Sequence, residues 1–127
     1  ALIIGDVSFF YDISSLINNL NNNINLKIFI INNNGGHIFD RLDGLKVEKN
    51  YKNYWLTPTV ANIKNAAKLY ECTYTRIDKT NFKDIPKVVN KVSEHSKSID
   101  LIEIKVDSEK HQLVDKKITA NIKDILN

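Results

Sequence analysis

The sequence predicts an α/β fold, a mostly parallel sheet with helices on both faces. Three observations predict it. Short runs of aliphatic and β-branched residues alternate with stretches whose apolar residues recur every three or four positions. Alternation of this kind joins strands through helical crossovers, which leaves the strands parallel. Two of the strand candidates end in polar, glycine-bearing turns, and α/β sheets bind ligands at the carboxyl ends of their strands.

The elements follow in order. Ala1 to Ile4 is an aliphatic run closed by Gly5-Asp6 and reads as a buried strand. Asp12 to Leu20 carries Ile13, Leu16, Ile17 and Leu20 at helical spacing, so an amphipathic helix is expected there. The asparagine-rich stretch Asn18 to Asn25 should end it. Leu26 to Ile31 is the strongest strand signal, and it stops at Asn32-Asn33-Asn34-Gly35-Gly36. Residues 40–56 are irregular and carry Tyr51, Tyr54 and Trp55. Thr57-Pro58 is expected to open a helix, with Thr57 as N-cap and Val60, Ile63, Ala67 and Tyr70 on its apolar face. Thr73 to Ile77 reads as a short strand, being β-branched and aromatic. Ile85, Val88, Val89 and Val92 mark another helix, and Leu101 to Val106 a further strand. Asp107 or Ser108 caps a last helix with Val114, Ile118 and Ile122 on one face.

A chain of 127 residues holds one core, not two, so residues 1–127 are expected to act as one unit. The sequence has no methionine and opens in what reads as mid-strand, which predicts a piece of a longer multidomain chain and a partial domain. No apolar run approaches the length of a membrane span, and the first residues lack the charge and length of a signal peptide; cytoplasm is the expected location. The net charge of +3 comes from 16 lysines and two arginines spread among acidic residues, a solvated surface rather than a nucleic-acid footprint. Lys46 to Trp55 interleaves Lys with Tyr but does not cluster, and no nucleic acid is expected as partner. The single cysteine, Cys72, excludes an internal disulfide and reads as a buried structural thiol.

Chemistry concentrates at two turns. Gly5-Asp6 allows a ligand to approach closely and places a carboxylate at a strand end. Asn32 to Gly36 offers amide and backbone carbonyl oxygens. Each turn alone is an ordinary surface turn. Together they carry more: Asp6 and Asn33 are 27 positions apart, separated by one helix and one strand, and a βαβ unit of that size can set the two strand ends side by side. A carboxylate, an amide oxygen and a loop carbonyl are hard ligands suited to Mg²⁺, which takes its remaining oxygens from phosphates and water.

Gly5-Asp6 followed at this distance by Asn32-Asn33 is similar to the thiamine-diphosphate motif, which begins Gly-Asp-Gly and ends Asn-Asn. Val7 departs from the glycine at the third motif position. Gly5-Asp6-Val7-Ser8 with Tyr11-Asp12, and Asn32-Asn33-Asn34-Gly35-Gly36 with Ile38-Phe39, resemble the branch of these enzymes that makes a menaquinone precursor. The resemblance covers essentially the whole chain. It implies Mg²⁺ (or Mn²⁺) held by Asp6, Asn33 and the Gly35 carbonyl. It implies thiamine diphosphate contacted by Gly5, Asp6, Val7, Ser8, Asn33, Gly35, Gly36 and Ile38. Ile38, Phe39 and Leu42 would then face the thiazolium and the substrate; core packing is the alternative for these three. His37 receives no role, and no residue of this piece is expected to be catalytic, because the acid–base glutamate of the superfamily lies in another domain. Glu71, Glu94 and Glu103 do not sit where they could replace it. The implied reaction decarboxylates 2-oxoglutarate and adds the resulting carbanion to isochorismate, in a homo-oligomer (dimer or tetramer). The alternatives are another thiamine-diphosphate enzyme, acetolactate-synthase-like or a 2-oxoacid decarboxylase, and a non-catalytic flavodoxin-like binding domain.

Overall fold

The computed structural model describes residues 1–21, 24–42, 44, 49–58, 60–93 and 97–126. Part of the Lys46 to Trp55 stretch (46–48), together with Glu94 and His95, lies outside the described residues. Four strands form one sheet: β1 (Leu2–Gly5), β2 (Leu26–Asn32), β3 (Thr73–Ile77) and β4 (Ile99–Lys105). Their order across the sheet is β1-β2-β4-β3, and every neighbouring pair is parallel.

The helices are α1 (Asp6–Tyr11), α2 (Asn18–Asn21), α3 (Tyr51–Tyr54), α4 (Ile63–Leu69), α5 (Ile85–Ser93) and α6 (Ser108–Leu126), with 3-10 segments at Ile13–Ile17, His37–Arg41 and Phe82–Asp84. The connections β1 to β2 and β2 to β3 step the same way across the sheet, and β3 to β4 steps back. With right-handed crossovers, the first two connections cover one face and the third covers the other. The core agrees. On the first face Phe9 of α1, Leu16, and Ile63, Ala66 and Ala67 of α4 pack against Ile28, Ile30, Ile99 and Leu101. On the opposite face Ile77 and Ile102 are fully buried. Full burial of each such side chain stabilises the fold by about 1.5–3 kcal/mol.

Polar side chains fix the ends of the strands. At the amino end, Lys27 of β2 forms an ion pair with Asp100 of β4, and Thr73 of β3 donates its hydroxyl to the same carboxylate. Asn19, from the asparagine-rich stretch, donates to the carbonyls of Tyr70 (3.0 Å) and Glu71 (3.1 Å) and accepts the Ile99 N–H (2.8 Å). It therefore joins the end of α4 to the start of β4.

Three local expectations are corrected. β1, expected to be buried, is the outermost of the four strands among the described residues, with Ile3 73% exposed. The helix expected over Asp12 to Leu20 is broken; helical structure starts at Asp6 and passes through the 3-10 segment before α2. Thr57 does not cap a helix. It has a positive φ of 44°, and Val60 beyond it is 97% exposed. The helix starts at Ile63, where Asn62 accepts the Asn65 N–H at 3.2 Å. Asparagine ranks above threonine as an N-cap, and the residue before proline is pushed away from the helical region.

Candidate cofactor site at the ends of β1 and β2

Gly5 lies opposite Ile31 in the register, so the chain leaves β1 and β2 at nearly the same level of the sheet. Gly5 is extended (φ −76°, ψ 158°) and feeds directly into α1, which makes Asp6 the first helical residue. The Asp6 side chain is 1% exposed. A negative charge there is favoured by the amino end of the helix, whose first N–H groups have no carbonyl partner within it.

The turn after β2 folds back onto this carboxylate. Asn32 Oδ1 accepts the Asn34 N–H at 3.0 Å, and Asn34 takes up a left-handed φ of 68°, which asparagine tolerates. Gly35 follows at φ 140° and donates its N–H to Asp6 Oδ2 at 2.9 Å. Only glycine fits here: an added Cβ would stand 2.4 Å from the Leu56 carbonyl oxygen. That same carbonyl accepts the Gly36 N–H. The Leu56-Thr57 segment therefore braces the turn from outside.

The Asn33 side-chain amide completes the arrangement. One of its terminal atoms stands 3.1 Å from Asp6 Oδ1 and 2.8 Å from the Gly35 carbonyl oxygen. With nitrogen in that place, it donates to both. Turned round, the amide would offer its oxygen beside those two, a set of hard donors that suits a cation. Among the described residues no group of three His, Cys, Asp or Glu side chains comes together, so any cation here is held by mixed oxygen donors.

The structure thus brings Gly5, Asp6, Asn33, Gly35 and Gly36 into one place. Ser8 is exposed and Val7 half-buried. Val7 borders a cavity of about 190 Å³ with Phe10, Tyr11, Thr57 and Pro58. Ile38 is 71% exposed, and Leu42 is exposed as well, so neither is a core residue. Phe39 packs edge-to-face on Trp55, with ring centroids 5.2 Å apart.

Two polar networks flank the turn. His37 Nδ1 lies 2.7 Å from Asp40 Oδ2, and the Tyr51 hydroxyl donates to Asp40 Oδ1 at 2.5 Å. Burial, and then Asp40, push the Tyr51 hydroxyl up to about 12, so it remains a donor. The His37–Asp40 spacing of three residues was the available signal for this stitch. On the other side, the Glu103 carboxylate accepts from Asn32 Nδ2 and from the Tyr74 hydroxyl. Burial and then Glu103 raise the Tyr74 hydroxyl far above its usual range. These residues floor a cleft of about 430 Å³ that also borders Arg76, Lys64 and Asn62. The sequence signal for Glu103 is a lone carboxylate inside the aliphatic run Leu101-Ile102-Glu103-Ile104.

The half-buried Cys72 is remote from this chemistry. Burial, and then Asp100, push its thiol up to about 11, in accord with an inert structural residue.

Comparison with known proteins gives the family. Residues 1–104 match the family model of the thiamine pyrophosphate enzyme C-terminal TPP-binding domain. The chain is similar to curated 2-succinyl-5-enolpyruvyl-6-hydroxy-3-cyclohexene-1-carboxylate synthases. Similarity to that of Lysinibacillus sphaericus is 38% identity over 77 residues, 61% of this chain and 14% of the relative. The protein of Listeria monocytogenes is 30% identical over 125 residues, 98% of this chain and 21% of the relative. That of Staphylococcus aureus is 34% identical over 128 residues, 98% of this chain and 22% of the relative. The chain therefore spans about a fifth or less of the length of these relatives. With a parallel α/β sheet, a carboxylate and an asparagine turn meeting at two strand ends, and a family match over residues 1–104, the chain belongs to the thiamine pyrophosphate enzymes, within their C-terminal cofactor-binding domain.

Proposed function

We infer that this chain supplies the metal-diphosphate half of a thiamine-diphosphate site in a synthase of menaquinone biosynthesis. The observation that carries the reading is the convergence of Asp6 Oδ1, the Asn33 amide and the Gly35 carbonyl. A carboxylate oxygen, an amide oxygen and a backbone carbonyl are hard donors of the kind Mg²⁺ takes. Asp6, Asn33 and the Gly35 carbonyl would be its ligands, with the remaining positions left to diphosphate and water. Mn²⁺ accepts the same donors.

The other residues take their roles from position. Val7 and Ser8, in the first turn of α1, offer N–H groups and a hydroxyl to the diphosphate. Gly5, Gly36 and Ile38 border the cofactor. Ile38, Phe39 and Leu42 form an apolar wall towards the substrate, which excludes water from the reacting end. When bound, thiamine diphosphate supplies the carbon nucleophile and electron sink for 2-oxo acid decarboxylation.

The substrates follow from the relatives' names. A succinyl group is what 2-oxoglutarate leaves on losing CO₂, and the enolpyruvyl cyclohexene carboxylate skeleton is that of isochorismate. Among the described residues, Glu103 is held by Asn32 and Tyr74 and Glu71 is exposed at a left-handed turn; on this reading the acid–base glutamate comes from outside this chain. Residues 1–127 are accordingly a diphosphate-binding domain of a longer cytoplasmic protein, working in a homo-oligomer and inactive when isolated.

The test uses the full chain that carries this sequence, with thiamine diphosphate, Mg²⁺ and isochorismate. Loss of isochorismate with 2-oxoglutarate but not with pyruvate, abolished by Asp6→Ala, is the expected result. Consumption of pyruvate with isochorismate untouched would move the protein to the acetolactate-synthase-like or decarboxylase branch. Absence of any Mg²⁺-dependent cofactor binding would leave a binding domain without this chemistry.

A further inference from the structure

We propose that Glu103 is a positioning residue for the metal-binding turn, acting through the side chain of Asn32. The inference rests on the reading of Asp6, Asn33 and Gly35 given above. Glu103 lies in β4 opposite Ile30 of β2 and Arg76 of β3, and is 6% exposed. Its carboxylate reaches diagonally to both neighbouring strands. Oε1 accepts the Asn32 amide at 2.5 Å, and Oε2 accepts the Tyr74 hydroxyl.

This contact holds the NH₂ side of the Asn32 amide, and two donors hold its oxygen. With its NH₂ on Glu103, its Oδ1 turns the other way and accepts from Lys105 Nζ and from the Asn34 N–H, each at 3.0 Å. The Asn34 N–H opens the left-handed pair Asn34-Gly35, whose second member faces Asp6. The Asn32 backbone is held as well, since its carbonyl accepts the Val106 N–H at 2.9 Å. A flipped Asn32 amide would put an oxygen against the Glu103 carboxylate and an NH₂ against two donors. The orientation held in part by Glu103 thus passes through Asn32 to the turn that carries Asn33 and the Gly35 carbonyl.

The carboxylate stands at the floor of the cleft, opposite Arg76 in the register. Its flanking strand residues are apolar, and an apolar side chain there would hold the sheet at least as well without the cost of desolvating a charge. What an apolar side chain cannot do is accept two hydrogen bonds at once and so set the amide of Asn32.

The experiment uses the full chain with thiamine diphosphate present. Mn²⁺ binding is read by electron paramagnetic resonance, and exchange of the 32–36 amides by mass spectrometry. Glu103→Leu is expected to weaken Mn²⁺ binding about 10- to 100-fold, the usual effect of losing an outer-shell partner, and to speed exchange in the turn. Glu103→Gln, which can still accept from Asn32, restores most of the affinity. Tyr74→Phe removes only the bond on the far side from Asn32 and keeps the wild-type affinity. Asn32→Ala weakens binding like Glu103→Leu, and the double variant is no weaker than either. Wild-type Mn²⁺ affinity in Glu103→Leu, or additive losses in the double variant, would overturn the positioning role. Should Glu103→Leu fail to fold, Asn32→Ala with wild-type affinity overturns it equally. A wild-type protein that binds no Mn²⁺ with the diphosphate would instead sink the metal site itself, and this proposal with it.

Discussion

Gly35 donates its backbone N–H to Asp6 Oδ2 at 2.9 Å, across 29 positions of sequence. That bond occupies one carboxylate oxygen and leaves Oδ1 directed at Asn33. Asp6→Asn keeps an oxygen for the Gly35 N–H but removes the charge. The protein should therefore still fold, with some loss of melting temperature where the new NH₂ meets the Asn33 amide, while Mg²⁺-dependent cofactor binding falls by more than about 100-fold, beyond the loss usual for an outer partner. Isothermal titration with and without Mg²⁺ measures this, and unchanged binding would remove Asp6 from the site.

Gly35→Ala tests the turn itself. The new methyl would meet the Leu56 carbonyl oxygen at 2.4 Å, at a φ of 140° that side chains rarely adopt. The expected cost is at least about 2 kcal/mol in urea denaturation, from backbone strain plus the displaced Leu56. Gly36→Ala, whose Cβ would find its nearest atom at an ordinary 3.6 Å, should cost much less.

Asp100→Leu tests the amino end of the sheet. It removes the carboxylate that Lys27 and Thr73 both use. Removing one member of a largely buried pair should cost about 3 kcal/mol, and pairing it with Lys27→Met should recover much of that loss. Thermal melts of the single and double variants give the answer; additive losses would mean the pair does not act as a unit.

Cys72 gives a pH prediction. Its folded thiol titrates at about 11 against 9.0 when unperturbed, burial being the main cause and Asp100 the next. A raised folded pKa favours the protonated form in the native state. The resulting stabilisation is fully present below about pH 9 and is lost as pH rises through about 11. Alkylation by iodoacetamide should be slow at pH 8 and still climbing at pH 10; a plateau near pH 8.5 would contradict the assignment.

The strands were largely legible because Leu26 to Ile31, Thr73 to Ile77 and Leu101 to Val106 are rich in aliphatic, β-branched and aromatic residues, and each lies within a residue or two of the observed bounds. The convergence of Asp6 with the asparagine turn was legible from spacing, since a βαβ unit leaves little choice in where its strand ends fall. The helix start at Thr57 misled because Thr-Pro is a good local signal. The preference is outweighed by a tertiary contact: Leu56 must meet Gly35 and Gly36, which holds Thr57 in a left-handed conformation. Glu103 and Asn32 could not be paired from sequence, because strand order β1-β2-β4-β3 makes them neighbours and periodicity does not reveal strand order.

The strand order also sets a timetable for biogenesis. β2 joins β1 after one short connection, but its other neighbour, β4, is aligned so that Lys27 meets Asp100, 73 positions later. During synthesis β2 therefore leaves the ribosome with one open edge and waits until most of this segment has emerged. Pairings so distant in sequence form slowly, and an aliphatic edge such as Leu26–Asn32 is open to wrong partners meanwhile. Refolding of a chain carrying this sequence should accordingly be limited by the docking of β4, and the cofactor turn, tied to that strand through Asn32, should mature last.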